Sequence, residues 1–281
     1  MKFKIMTMNT WCGGQEVHNG IDKIIEAVTI SGADIVGFQE GPDPGKIVAQ
    51  QLGWHYHQNQ ERGTSIISKY PIIEAQDITG VSAVMAKIEL SFKKHIIVVN
   101  THLYYDPYGP YWALFENYSA PKIIKMESEI RGKEISQVLK NISQHADNLT
   151  PLFLMGDFNC PSHLDWIKAT KEIHNNLELK WPVTVQVEEA GLIDSYRTIH
   201  PDPVLMSGST WSPVNTRNYP WGNHDYEPQD RIDFIYFKGC VDVTDSDVFV
   251  VGNPKAFGNH QDNEWPSDHA AVISTFQMDL V

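Results

Sequence analysis

The sequence predicts an α/β (α+β) protein in which two β-sheets pack face to face and helices cover the outside. Two patterns indicate this fold: apolar strands are separated by single helices, and polar residues end several of the strands. An acid or amide at the end of a buried strand costs desolvation energy unless something uses it. No repeat or linker rich in Pro, Gly and Ser divides the 281 residues, so we expect one domain, 1–281.

The first part of the chain predicts a strand, helix, strand order that then changes to consecutive strands. Strands over 3–9 and 35–38 flank a helix over 20–31, whose apolar residues recur at helical spacing until Gly32 ends it. A turn at 42–45 and a short helix over 46–52 follow. Further strands are predicted at 54–58, 65–68, 72–78, 82–91 and 96–99. Apolar and polar residues alternate within 82–91, the pattern of a half-buried strand.

The second part of the chain repeats this arrangement with longer connections. An apolar stripe predicts one helix over 120–145, and Pro151 precedes a strand over 152–155. The remaining elements are two helices, near 162–170 and 183–190, and three strands, at 232–237, 247–251 and 269–277. A long irregular stretch, 201–231, lies between them.

Composition argues against a protein that holds long nucleic acids by charge. Lys and Arg number 22 and Asp and Glu 35, which gives a net charge of −13. Such a chain has no overall field that favours polyanions, although bound metal ions can offset a substrate's charge locally. Three cysteines indicate no disulfide framework. No signal sequence or apolar stretch long enough to span a bilayer is visible, so we expect a cytoplasmic protein without stable membrane insertion, unless a leader has been removed.

Polar residues at the strand ends form a candidate metal site. In chain order they are Asn9, Glu40, His102, Asp157, Asn159, Asp233, Asp268 and His269. Hard divalent cations such as Mg²⁺ prefer carboxylate and amide oxygens, so Glu40 and Asp268 are predicted ligands, with Asn9 and Asp157 assisting. No cysteine has a ligand-like spacing, which makes a structural zinc site a poor alternative.

His269 is the candidate general base, and Asp233 is the candidate carboxylate that orients its ring. Water deprotonated by His269 would attack phosphorus, while His102 and Asn159 would contact the phosphate oxygens. A site rich in carboxylates with a His–Asp pair suits phosphoester hydrolysis better than acyl transfer, and no Gly-x-Ser-x-Gly motif is present.

Six short motifs in this order resemble the endonuclease/exonuclease/phosphatase superfamily, whose members include DNase I-like nucleases. The motifs are Thr7-Met8-Asn9-Thr10, Phe38-Gln39-Glu40, Asn100-Thr101-His102-Leu103, Gly156-Asp157-Phe158-Asn159, Arg231-Ile232-Asp233-Phe234 and Ser267-Asp268-His269. The resemblance implies a four-layer sandwich of two mixed sheets and phosphoester cleavage that uses one or two Mg²⁺ or Mn²⁺ ions. It also implies that Asp157 orients or activates the water or binds a second metal, which leaves Asp157 and His269 as alternative bases.

Simpler explanations exist for each residue taken alone. Asn9 could form a turn, Glu40 could be a solvated turn acid, and His102 could be a core histidine. Asp157 and Asn159 could form an Asx-turn that caps a helix. The combined pattern favours an enzyme over a catalytically silent binding protein of the same fold.

Aromatic residues follow two of the site strands and favour a base, a sugar ring or a quaternary ammonium group. Tyr104, Trp211 and Trp221 are candidate substrate contacts, and Arg62 is a candidate phosphate contact. Alternatively, the aromatic residues pack their own loops onto the domain. Arg217 is the sole cation within 201–230, so a small or lipid-linked phosphoester is the first expectation and DNA or RNA the second. No protein partner is indicated.

Overall fold

The computed structural model describes residues 1–41, 44–59, 63–145, 150–218 and 226–278. Two six-stranded sheets form its centre, with the strand orders β11-β12-β1-β2-β4-β3 and β5-β6-β7-β8-β10-β9. Sheet A is the first and sheet B the second. Most neighbouring strands are antiparallel, but β1 and β2 are parallel, as are β7 and β8, so both sheets are mixed. The predicted fold class is confirmed.

Sheet A contains β1 (Lys2–Asn9), β2 (Ile35–Gln39), β3 (His55–Asn59), β4 (Thr64–Ser68), β11 (Asp242–Phe249) and β12 (Ala271–Gln277). Sheet B contains β5 (Ile72–Asp77), β6 (Ala83–Ser91), β7 (Lys94–His102), β8 (Leu152–Asp157), β9 (Ile193–Asp194) and β10 (Asp233–Lys238). Each predicted strand overlaps a strand of the structure, although β11 covers 242–249 where 247–251 was predicted, and β9 was not predicted.

The helices are α1 (Trp11–Gly14), α2 (Gly20–Ser31), α3 (Pro44–Leu52), α4 (Gly109–Leu114), α5 (Ala120–Glu129), α6 (Arg131–His145), α7 (Pro182–Glu189) and α8 (Ser195–Ile199). One apolar cluster fills the space between the sheets, a second packs helices on sheet B, and a third packs helices on sheet A. This alternation gives the four layers. No helix within the described ranges is long and apolar enough to cross a membrane.

Two helix predictions are wrong. The helix predicted over 120–145 is interrupted at Ile130, where φ is −106° and ψ is −96°. The segment 162–170 forms turns instead of a helix. Within it, the hydroxyl of Ser162 accepts the N–H of Leu164, and the hydroxyl of Thr170 donates to the carbonyl of Asp165. Such side-chain bonds to the backbone compete with helical hydrogen bonds, which explains the turns.

The first part of β6, residues 83–86, is buried on both faces, whereas buried and partly exposed residues alternate over 87–91, as a half-buried strand predicts. Its two faces contribute to different apolar clusters, since Val84 packs between the sheets and Met85 packs under the helices of sheet B. A central strand of a four-layer sandwich has cover on both sides, which the strand's own sequence does not reveal.

A buried amide joins the two sheets just beneath the site end. Asn100 of β7 donates from Nδ2 to the carbonyls of Phe38 and Ser65, both at 2.8 Å, and these belong to sheet A. Its Oδ1 accepts the Nε2 of Gln39 at 2.6 Å, and the same Nε2 donates to Thr7 Oγ1 at 2.9 Å. These bonds fix the relative position of the sheets where their polar strand ends begin.

Gly37 permits this close approach of the sheets. A Cβ at position 37 would lie 2.6 Å from Met155 Cε and 2.8 Å from Asn100 Cγ, closer than real side chains allow. The absence of a side chain on β2 therefore makes room for the Asn100 amide.

We expect Asn100→Ala to lower the free energy of unfolding by about 3 kcal/mol or more, because buried partners on sheet A lose their hydrogen bonds. Chemical denaturation measures this change. Asn141→Ala is the matched control, since Asn141 makes one local bond to the Gln137 carbonyl on the outer helix α6. Equal effects of the two substitutions would contradict the assigned role of Asn100.

Candidate active site

Strand register brings three candidate residues side by side at the edge of sheet B. Asp157 ends β8, where it pairs with His102 of the parallel strand β7 and with Asp233 of the antiparallel strand β10. Residues paired across neighbouring strands point to the same face, so the carboxylate of Asp157 lies between the two flanking side chains. Asp157 is fully buried.

Asn9 connects the acids of the two sheets. Its Nδ2 donates to Glu40 Oε1 at 3.1 Å and to Asp157 Oδ2 at 3.0 Å. Its Oδ1 accepts the backbone N–H of Trp11 at 2.9 Å. Asn9 thus holds a carboxylate of sheet A beside a carboxylate of sheet B, and its predicted function as a metal ligand remains a prediction.

The short segment α1, directly after β1, is a left-handed turn and not a regular helix, and it supports Glu40. Trp11, Cys12, Gly13 and Gly14 have φ values of 45°, 56°, 72° and 78°, and the N–H of Gly14 bonds the carbonyl of Thr10. Left-handed backbone costs roughly 1–2 kcal/mol for each non-glycine residue. This backbone conformation directs the N–H of Cys12 toward Glu40, to which it donates a hydrogen bond at Oε2 over 3.2 Å. Glu40 is itself left-handed, with φ at 57°.

Asn159 lies in an Asx-turn, as one of the simpler explanations predicts, but no helix follows it. Its backbone N–H donates to Asp157 Oδ1 at 2.8 Å, and its Nδ2 donates to the carbonyl of Leu103 at 3.0 Å. An amide nitrogen has two hydrogens, so one remains for a ligand. Asn159 lines the pocket described below.

His269 and Asp233 form the expected pair. Nδ1 of His269 lies 2.9 Å from Asp233 Oδ2, and its Nε2 lies 3.7 Å from Asp157 Oδ2. Burial alone lowers the pKa of His269, but the carboxylates of Asp233 and Asp157 outweigh it and raise the pKa well above its ordinary value. The backbone of His269 is fixed by Ser267 and Trp265, through its N–H and its carbonyl respectively.

The carboxylates and histidines gather at the distances that a metal site needs. Glu40, His102 and Asp157 offer ligand atoms within 4.8 Å of one another, and so do Asp157, Asp233 and His269. His102 Nε2 and Asp233 Oδ1 are buried without a hydrogen-bond partner among the described residues. Clustered acids with unused ligand atoms fit a divalent cation, which would relieve their mutual repulsion.

Asp268 is buried near this cluster, but among the described residues its carboxylate belongs to neither of the two groups of ligand atoms. Its Oδ2 accepts the Nδ2 of Asn215 at 3.1 Å. Burial raises the pKa of Asp268 to about 7, and the charges of Glu40 and Asp157 contribute to that rise. Its function as a metal ligand remains a prediction.

A pocket of about 770 Å³ opens beside these residues and has aromatic walls. Its lining includes Glu40, His102, Asn159, Asp268 and His269 together with Trp11, Tyr105, Tyr108, Tyr111 and Trp211. Trp211 also packs on His269, with 4.8 Å between ring centroids. Tyr104 does not line this pocket, and Arg62 and Trp221 lie outside the described residues.

Two buried acids behind the pocket hold its aromatic side chains. Glu227 accepts Trp211 Nε1 at 2.8 Å and the hydroxyl of Tyr111 at 2.7 Å. Asp230 accepts the hydroxyl of Tyr108 at 3.3 Å and Trp166 Nε1 at 2.8 Å. Sequence reasoning missed both acids, and nothing in their local pattern distinguishes them from solvated loop acids.

Burial raises the pKa of both acids, to about 7 for Asp230. His174 Nε2 lies 3.9 Å from Asp230, but burial lowers the pKa of His174 to about 4. His174 is therefore neutral near pH 7, and the contact is no ion pair.

Arg131 fixes the loop that carries Tyr105 and Tyr108. Its guanidinium is fully buried, pairs with Glu127, and donates to the carbonyls of Tyr104 at 2.7 Å and Pro107 at 2.8 Å. Arg131 stands at the start of α6, just beyond the helix break that the sequence did not predict. The aromatic loop after His102 is thus anchored from below by a charged pair.

Two mixed sheets with acids and histidines at one end define the DNase I-like class of α/β sandwiches. The model of the endonuclease/exonuclease/phosphatase family matches residues 6–269, and the chain belongs to this family. Members of the family are generally metal-dependent hydrolases of phosphoesters.

Known proteins agree with this assignment. The Caenorhabditis elegans protein F14F9.5 is 34% identical over 288 residues, which cover 97% of this chain and 90% of that protein. D. rerio TDP2 complexed with single strand DNA product is 13% identical, with a TM-score of 0.63 over 99% of both chains. An AP endonuclease from Archaeoglobus fulgidus is 15% identical, with a TM-score of 0.62 over 99% of this chain and 100% of the other. At these identities the two structures show a shared fold.

We expect Cys12→Gly to be more stable than Cys12→Ala by about 1 kcal/mol, because glycine adopts left-handed backbone without a Cβ penalty. Both variants lack the thiol and keep the N–H that faces Glu40. Thermal or chemical denaturation measures the difference. At Cys240, which is exposed and not left-handed, the same pair should show the opposite order. Alanine being the more stable choice at both sites would contradict the strain at position 12.

We expect the stability of Asp230→Asn relative to the original protein to rise with pH. The folded pKa of Asp230, about 7, exceeds its ordinary value of 3.8, so the folded state binds a proton that the unfolded state has lost. The original protein should therefore lose stability between pH 4 and 7, at up to about 1.4 kcal/mol per pH unit, while the variant lacks this loss. Urea denaturation across that range tests it, and a difference independent of pH would refute the raised pKa.

Proposed function

We propose that the protein is a divalent-metal-dependent phosphoesterase in which His269 deprotonates the attacking water. One observation carries the proposal: His269 is bonded to Asp233 through Nδ1, while its Nε2 faces Asp157 beside the group of Glu40 and His102. A histidine oriented by a buried carboxylate at a carboxylate cluster is the arrangement that general-base hydrolysis needs.

The residues have separable tasks in this proposal. A bound divalent cation would offset the carboxylate charges that raise the pKa of His269. Asp233 would then keep the Nδ1–H tautomer, so that Nε2 presents a lone pair to water and later holds the proton. Asp157 accepts the other hydrogen of that water and so aligns it. His102 and the unused hydrogen of Asn159 donate to the phosphoryl oxygens. Asp157 is the alternative base, since its Oδ2 lies 3.7 Å from Nε2 of His269.

Glu40 and Asp157 would hold the cation, with Asp268 as a further candidate. A bound Mg²⁺ or Mn²⁺ supplies charge neutralisation for the phosphoryl oxygens and the leaving oxygen. Asn9 bonds both Glu40 and Asp157, so its amide sets the spacing of the two carboxylates before the ion arrives.

The pocket supports a small or lipid-linked phosphoester. Within the described part of the chain, the pocket lining contains neither lysine nor arginine, and the net charge is −13. A long polyanion gains its affinity from many cationic contacts, which such a lining does not provide.

Nuclease activity is the second candidate. The observation in its favour is the fold shared with D. rerio TDP2, which was seen with a single strand DNA product. Aromatic walls can also stack nucleobases. A nuclease would lose binding steeply with added salt and would cleave oligonucleotides faster than small esters.

We expect bis-(p-nitrophenyl) phosphate to be hydrolysed with Mg²⁺ or Mn²⁺ and not after chelation by EDTA. His269→Ala should lower kcat about 10²- to 10⁴-fold, because the general base is lost. His145→Ala is the matched control, since His145 is exposed at the end of α6. A panel of nucleotides, phospholipids, sphingomyelin, sugar phosphates and DNA identifies the preferred substrate.

The outcomes separate the candidates. Loss of activity in Asp157→Asn with near-normal activity in His269→Ala would assign the base to Asp157. An original protein that stays inert with both metals across the whole panel would favour a binding protein of the same fold.

A further inference from the structure

The aromatic part of the pocket forms a surface distinct in chemistry from the carboxylate cluster. Tyr105, Tyr108, Tyr111 and Trp211 line it, and Trp11 faces it from the turn after β1. Trp11 rests on His260, with 4.8 Å between ring centroids. Aromatic side chains therefore stand on more than one side of the space next to the candidate catalytic residues.

The polar atoms of these rings are turned away from the pocket. The hydroxyls of Tyr108 and Tyr111 and the indole N–H of Trp211 donate to Asp230 and Glu227. Both acids are at least nine-tenths buried. Donation to a carboxylate increases the electron density of a ring, so the aromatic surfaces that remain are π surfaces with enhanced attraction for cations.

The charges around the pocket favour a positive ligand. Asp106 contributes to the lining, while neither lysine nor arginine does so among the described residues. Arg217, in the neighbouring loop, lies over the ring of Tyr226 at 4.6 Å and is not a lining residue. An anionic group would find no lysine or arginine donor among the described lining residues, and the ring of His269 is already hydrogen-bonded to Asp233.

We infer that this aromatic surface binds a quaternary ammonium group carried by the phosphoester substrate, with Glu227 as the residue that gives it cation preference. A quaternary ammonium has no N–H to satisfy, so aromatic faces suit it better than they suit a primary amine. The inference rests on the proposed function, because it places the phosphate at the carboxylate cluster and the cation against the rings. A nucleobase stacked on the same rings is the competing occupant.

Binding of choline and of its neutral isostere 3,3-dimethylbutan-1-ol tests the inference. Neither compound is a phosphoester, so the result does not depend on hydrolysis. Ligand-observed NMR titration with Mg²⁺ present should show choline binding at least about tenfold more tightly than the isostere. Equal affinities would overturn the inference and leave the proposed hydrolase function standing.

Glu227→Gln should reduce that preference below about threefold while changing affinity for the isostere little. The matched control is Glu74→Gln on β5, whose side chain is 74% exposed. Glutamine keeps the shape of the acid, and thermal unfolding reports whether the variant is folded. Trp211→Leu is the second variant and should also abolish the preference. A folded Glu227→Gln protein with unchanged preference would assign Glu227 a structural role only and overturn the inference.

Two further substrates show whether the quaternary ammonium group belongs to a water-soluble ester or to a lipid. Preferential cleavage of glycerophosphocholine over glycerophosphoglycerol, also a phosphodiester but without a cation, supports the inference with a water-soluble substrate. Preferential cleavage of lysophosphatidylcholine micelles over lysophosphatidylglycerol micelles supports it with a lipid. Adenosine monophosphate binding more tightly than phosphocholine, with no effect of Glu227→Gln, would assign the rings to a nucleobase instead.

Discussion

The amide of Asn9, placed between the carboxylates of Glu40 and Asp157, is the contact on which the site depends. It joins β1 to an acid after β2 in the same sheet and to an acid of β8 in the other sheet. Two acids held this close repel one another, and one amide offsets only part of that repulsion. The buried hydrogen bonds of Asn100 with Phe38, Ser65 and Gln39 offset the rest of that repulsion, because they keep the sheets from separating. The geometry of the site is therefore a property of sheet packing and not of any single loop.

Backbone strain gathers at the same place. Cys12, Glu40 and Asn159 all have positive φ, and each directs an N–H or a side chain toward the carboxylate cluster. Right-handed or extended backbone at Cys12 would turn its N–H away from Glu40. Strained conformations persist where the surrounding structure fixes them, and here the strands on either side are among the most buried in the chain. The turns and the sheet contacts thus support one another.

The sequence revealed the order of strands and the residues at their ends, since apolar runs and polar termini are local signals. The fold class and the family followed from these signals and are confirmed. The break at Ile130 and the turns over 162–170 were not predictable, because they depend on side chains such as Arg131 and Thr170 finding distant or backbone partners. The same limit applies to Glu227 and Asp230. Their importance arises from aromatic residues as far away as position 108, a relation that no spacing in one sequence encodes.

Two groups of acids lie in and behind one pocket, and each would act on a different part of a substrate. In the proposed function, the carboxylates of Glu40 and Asp157 would repel a phosphate until a divalent ion neutralised them, so we expect the anionic part of a substrate to enter only with the metal. Glu227 and Asp230 are buried and accept hydrogen bonds from Trp211 and Tyr108, so in the proposed site their charge would act on the pocket through the aromatic side chains. If both proposals hold, one end of the pocket accepts negative charge through a metal, and the other favours positive or apolar groups directly. An acidic protein with that arrangement would select its substrate by the position of charge within the ligand and not by the ligand's total charge.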